Sequence, residues 1–149
     1  MNKTQKDLWC EAYNLLSSKK YNKAEKLLLK ALKAKDDNTI DRHFTYNTLI
    51  QLYYKLRNEK KDTLGKCIHY CNEDIKRLSE FLEAYKKEYG DIPQCPSIIQ
   101  LAIIYEKNGE FQKAIDLCNF AVRLGLKDGT KQGFEGRKVK LEKKLIKET

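Results

Sequence analysis

No segment of this chain approaches the roughly 18 consecutive apolar residues that a membrane-spanning helix requires. The start, from Met1 to Trp9, has no apolar run behind its charges. Neither a membrane anchor nor an export signal is therefore expected, and the expected location is the cytoplasm. Cysteine is thin for a disulfide scaffold: the five residues form an odd set without framework spacing, which favours reduced thiols. Proline occurs only at Pro93 and Pro96, and no stretch alternates apolar and polar residues as a strand would. What is plentiful is charge and aliphatic bulk. The 149 residues are 34% charged and 41% hydrophobic, which suits one domain with a sizeable core.

The net charge is +9, from 30 Lys and Arg against 21 Asp and Glu. Residues 1–40, 41–90 and 91–149 carry +4, +2 and +3, so the excess is spread along the chain. Only the stretch Arg137-Lys138-Val139-Lys140-Leu141-Glu142-Lys143-Lys144 is locally basic, and lysines near a helix C-terminus also suit the helix dipole. A basic surface of this kind makes RNA or DNA binding through Arg137, Lys138, Lys140, Lys143 and Lys144 an alternative function, one whose affinity would fall steeply with salt. It ranks lower, because no aromatic-basic motif of a nucleic-acid module is present.

Apolar spacing predicts an all-α chain of seven helices. Thr4, with Asp7 three residues on, reads as a capping box for a first helix to about Ser18, with stripes at Leu8, Ala12, Leu15 and at Trp9, Tyr13, Leu16. A second helix, near residues 21–35, buries Tyr21, Ala24, Leu28, Ala31 and Leu32, and a third, opened by Asn38 and Asp41, carries Phe44, Leu49, Ile50, Tyr53 and Leu56. Asp62 is placed to cap a fourth helix that runs to Tyr89 and stops at Gly90. Pro96 opens a fifth and Gly109 ends it. Phe111, Ala114, Ile115, Cys118, Ala121 and Val122 mark the sixth, and a seventh from Gly133 carries Phe134, Lys138, Leu141 and Leu145. The hairpins span about 4–35, 38–89 and 96–125, with a terminal cap over about 133–147, all in one domain.

The fourth helix is the unusual one. Leu64, Ile68, Cys71, Ile75, Leu78, Leu82, Tyr85 and Tyr89 alternate steps of four and three, a 3.5-residue period. At 1.5 Å per residue this helix would extend roughly 37 Å. Its overhang is expected to be covered by the fifth or the C-terminal helix; the alternative is a homodimer seam with Tyr85 and Tyr89 at the interface.

In the last hairpin, Leu101-Ala102, Tyr105, Gly109, Phe111, Ala114 and Ala121 stand in the order that resembles a tetratricopeptide repeat. Residues 8–34 resemble a weaker copy through Ala12, Tyr21, Ala24 and Ala31, with Leu15 in place of the first-helix aromatic and Lys19 at the turn-glycine site. A third copy fits Leu49, Ile50, Tyr53, Cys67 and Cys71 with about five extra residues between its helices. Ala24, Cys67 and Ala114 are spaced well above the roughly 34-residue family period. The segment 125–137 also resembles the closing segment of bacterial tetratricopeptide-like proteins.

The resemblance implies helical hairpins stacked in a right-handed superhelix, with the first helix of each hairpin lining a concave groove. Its groove positions correspond to Trp9 and Tyr13, then Phe44, Asn47, Gln51, Tyr54 and Lys55, then Ile99, Ile103 and Lys107. Aromatic anchors with amides between them suit an extended peptide or a helix. Trp9 and Tyr13 occupy the sites where chaperone-binding relatives carry a lysine and an asparagine, so a carboxylate clamp of that kind is not expected.

Catalytic and metal chemistry find little support. Cys67 and Cys71 share one side of a helix at a metal-ligand spacing, but both sit at small-residue positions of the repeat, where cysteine packs as a small hydrophobe. Residues 128–131 lack the spacing and the preceding strand of a P-loop. His43 has Asp41 close in sequence but no assignable nucleophile, and the pairs Glu73-Asp74 and Glu80 with Glu83 read as solvated or ion-paired carboxylates on the polar sides of a helix. The expected function is therefore a non-catalytic adaptor, monomeric or homodimeric, with no cofactor and no metal.

Overall fold

A computed structural model of the chain describes residues 3–148, in which there are eight helices and no strand. The chain divides at Ala84 and Tyr85 into two compact units.

The first unit holds α1 (Gln5–Ser17), α2 (Tyr21–Leu32), α3 (Thr39–Lys55), α4 (Thr63–Lys76) and the start of α5 (Leu78–Tyr89). The box at Thr4 forms as expected: Thr4 Oγ1 accepts from the Asp7 amide and Asp7 Oδ2 accepts from the Thr4 amide, both at 3.1 Å. Asn38 caps α3, its Oδ1 accepting from the Asp41 amide at 3.0 Å. Helix α1 packs on α2, α3 packs on α4, and α3 also lies against α1 and α2. Ala12, Ala24 and Ala31 have no exposed surface, and their small side chains let the helices approach closely. Gln5, which the apolar pattern does not single out, is fully buried. It donates to the Ala31 carbonyl and accepts from the Asn38 amide, each at 3.1 Å, tying the start of α1 to the end of α2 and the entry to α3.

The single long fourth helix is a misreading that the backbone corrects. Arg77 has φ −102° and ψ 4°, its N–H turns back to the Asp74 carbonyl at 3.0 Å, and a new helix begins at Leu78. The two segments bury Thr63, Cys67, Cys71 and Asp74, then Leu78, Phe81 and Leu82. Leu64, Ile68 and Ile75 of the predicted seam are only half-buried, so the buried stripe is offset from it. The break at Arg77 interrupts the continuous 3.5-residue run expected from Leu64 to Tyr89. Tyr85 and Tyr89 lie against each other, ring centroids 4.6 Å apart, with Tyr89 exposed. Asp62 precedes α4 in the left-handed region, at φ +67°, and makes no side-chain cap.

The second unit holds the end of α5 with α6 (Pro96–Lys107), α7 (Phe111–Arg123) and α8 (Gly133–Glu148). Pro96 starts α6, and Gly109 at φ +75° turns the chain into α7, as the residue types predict. Helix α7 packs on both α6 and α8. Ala114, Cys118, Ala121, Phe134 and Leu141 are buried. The loop before α8 is organised by Asp128, whose Oδ1 accepts from the Thr130 amide at 3.0 Å and whose Oδ2 pairs with Arg137 at 3.3 Å. Burial acts to raise the Asp128 carboxyl, but the Thr130 hydrogen bonds and the Arg137 charge outweigh it and hold the group below the usual carboxylate range.

Between α1 and α2, Lys19 takes the left-handed turn position with φ +61°, a conformation that costs a residue with a Cβ about 1 kcal/mol. Lys19→Gly is expected to raise the unfolding free energy by about that amount, read as a higher urea midpoint at unchanged slope.

Candidate functional site

Two helices of the first unit carry most of the predicted groove residues. On α1, Trp9 and Tyr13 lie one turn apart; Trp9 is partly covered, whereas Tyr13 is 50% exposed. The Trp9 indole stacks on Phe44 of α3 with centroids 5.1 Å apart, and its Nε1–H donates to Asp41 Oδ1 at 3.0 Å. Further along α3, Gln51 and Lys55 are exposed and Tyr54 is half-buried, with the Arg57 guanidinium 4.0 Å above its ring. The indole is thus fixed at both its ring face and its polar edge, and aromatic and amide groups are carried on paired helices rather than on a loop.

Beneath this face is a buried polar cluster. His43 Nδ1 donates to Asp74 Oδ1 at 2.7 Å, and the Asn47 amide Nδ2 donates to His43 Nε2 at 3.0 Å. The carboxylate can only accept, which places the ring proton on Nδ1. The imidazole lies flat on Phe81, centroids 3.5 Å apart at 15°, and meets the edge of Phe44. One ring therefore joins α3, α4 and α5 and supports the residue on which Trp9 stacks. His43 and Asp74 are each 2% exposed, so the dyad has no open side from which to exchange a proton with a bound molecule.

Two expectations are corrected here. Asn47 does not present its amide to a ligand; it is buried and committed to His43. Asp74 does not stand on a polar side of its helix; it is buried with His43 as its partner. It lies on the face of α4 that carries Cys67 and Cys71, and that shared face is the sequence signal that could have marked it as buried. Asp41, the acid nearest His43 in sequence, accepts from the Trp9 indole.

Ile99, Ile103 and Lys107 form a separate stripe on α6 in the second unit, the two isoleucines half-buried and the lysine exposed. Of the basic tail, Arg137 is paired with Asp128 and Lys144 with Glu106, which leaves Lys138, Lys140 and Lys143 as the more available cations. Cys67 and Cys71 are fully buried, with the Cys67 thiol donating to the Ile50 carbonyl at 3.5 Å. A hydrogen bond with Cys67, together with burial, pushes the Cys71 thiol up. Burial pushes the Cys118 thiol up to about 11. Among the described residues no three His, Cys, Asp or Glu side chains gather as metal ligands would, and no helix is long and apolar enough to cross a membrane.

Removing one member of a buried pair strands the other. His43→Leu is expected to cost about 3 kcal/mol by urea unfolding, and the double change His43→Leu with Asp74→Leu is expected to cost less than the single one, because no buried carboxylate is left alone. Comparison of the chain with protein-family models, with curated proteins and with solved structures returns no match.

Proposed function

We propose that the chain is a non-catalytic adaptor that holds a peptide or protein segment against the face formed by α1 and α3. The observation that carries this reading is the Trp9–Phe44 stack, fixed from below by His43 and flanked by the half-exposed Tyr13. Rigid aromatic groups supply contact area at little entropic cost, and they dominate binding energy where proteins meet. Gln51 and Lys55 stand exposed along the same helix as Tyr54, so a segment lying across the aromatic groups would find an amide and a cation beside them. The tetratricopeptide resemblance of the hairpins agrees with this use, since first helices line the binding surface in that family. The cytoplasm is the proposed location.

Combined Tyr13→Ala, Gln51→Ala and Tyr54→Ala changes lie on exposed or half-buried positions and are expected to leave the circular dichroism spectrum intact. They should reduce recovery of a native companion at moderate salt by roughly tenfold or more, with nuclease treatment making no difference. Undiminished recovery by the triple variant would count against this face. Recovery lost only on nuclease treatment would favour the basic surface.

A further inference from the structure

A second surface lies in the first unit, where α2, α3 and α4 meet. It is an open hollow of about 430 Å3, and its chemistry differs from that of the rest of the chain. In a protein of charge +9, two carboxylates line it, Glu25 and Asp62. Its aromatic wall is Tyr53 and Tyr70, stacked with centroids 5.9 Å apart at 11°. The Tyr53 hydroxyl donates to Glu25 Oε2 at 2.6 Å, and burial followed by that hydrogen bond pushes its pKa up, so it remains a donor. This holds the Glu25 carboxylate at the edge of the ring.

Two residues here contradict the local needs of the fold. Gly65 stands in the first turn of α4, and glycine favours a helix less than any other residue except proline, yet its φ is not left-handed and a Cβ built there meets no atom within 4 Å. Neither backbone conformation nor packing calls for it. What the missing side chain does is leave the hollow open. Asp62 occupies the N-cap position of α4, at a left-handed φ of +67°, without capping the helix, and is one of the residues that line the hollow. A third residue shows which ligand chemistry fits. The Lys66 ammonium lies 5.5 Å from the centroid of the Tyr53 ring, so this wall already accepts a cation supplied by the chain itself.

We propose that this hollow is a binding site for a basic side chain of a protein partner, an arginine or lysine whose apolar stem crosses Gly65 and Leu29 and whose cation meets Glu25, Asp62 and the Tyr53 ring. Lys66 is exposed and holds the place until the partner's cation displaces it. The assignment is independent of the face formed by α1 and α3, and either can fail without the other.

The test is a titration of the full chain followed by NMR of the Tyr53 and Tyr70 rings. The probes are the blocked tripeptide Gly-Arg-Gly, its lysine counterpart, its neutral norleucine counterpart, and butylammonium as a free amine. Saturable shifts are expected with the two basic peptides and binding roughly fivefold weaker with the norleucine peptide. Gly65→Leu fills the hollow while improving helix propensity, so it should raise the melting temperature and abolish the shifts. Lys66→Met removes the internal competitor and should tighten binding about threefold. The proposal is overturned by equal binding of the norleucine peptide, by tighter binding of butylammonium than of the basic peptides, by shifts that persist in Gly65→Leu, by weaker binding in Lys66→Met, or by no saturable shift up to about 20 mM peptide.

Discussion

The first unit is organised around a buried histidine. His43 gives its Nδ1 proton to Asp74, receives the Asn47 amide at Nε2, and rests on Phe81. Asp74 comes from α4 and Phe81 from α5, so three helices meet at one imidazole. Such a cluster is a costly way to fill a core. Asp74 Oδ2 and Asn47 Oδ1 are both buried with no hydrogen-bond partner among the described residues, and each unmet acceptor costs about 1–3 kcal/mol. A directional cluster does, however, set position in a way that apolar packing does not. Sliding α4 along α3 by one turn would break the His43–Asp74 bond and leave a carboxylate buried alone.

That placement carries outward. Phe44 meets His43 and Phe81 edge-on, Trp9 stacks on Phe44, and Asp41 holds the indole N–H. The order of support runs from a buried, hydrogen-bonded imidazole, through an aromatic layer, to the exposed Tyr13. The hollow lined by Glu25, Asp62 and Gly65 has another origin, since it rests on the Tyr53–Glu25 hydrogen bond and on the stacking of Tyr53 with Tyr70. Helix α3 contributes to both, its His43–Phe44 end to the first and its Tyr53 turn to the second.

Local features of the fold were legible in the residues because local chemistry decides them. Thr4 with Asp7, Asn38, Pro96 and Gly109 mark helix ends by hydrogen bonding and backbone freedom, and each acts as its residue type predicts. Ala12, Ala24, Ala31, Ala114 and Ala121 marked close helix approaches and are buried. The turn at Lys19 was visible as a glycine site filled by lysine, and the chain accepts the left-handed conformation there. The break at Arg77 was hidden, since neither proline nor glycine stands near it and the four-three spacing runs through it without a fault. The central dyad was hidden for a different reason. Its members are 31 residues apart, and Asp74 follows Glu73 in a stretch that reads as solvated charge. Asn47 was misplaced because its partner, His43, becomes a buried acceptor only after Asp74 has fixed the ring proton.

The most direct measurement is the nitrogen-15 NMR spectrum of the His43 side chain in the folded protein at neutral pH. A ring held as described gives a protonated Nδ1 whose hydrogen exchanges slowly with water, beside a bare Nε2 that accepts from Asn47. A ring protonated at Nε2, or one whose protons exchange with water as fast as those of the exposed His69, would contradict the central role given to His43 and Asp74.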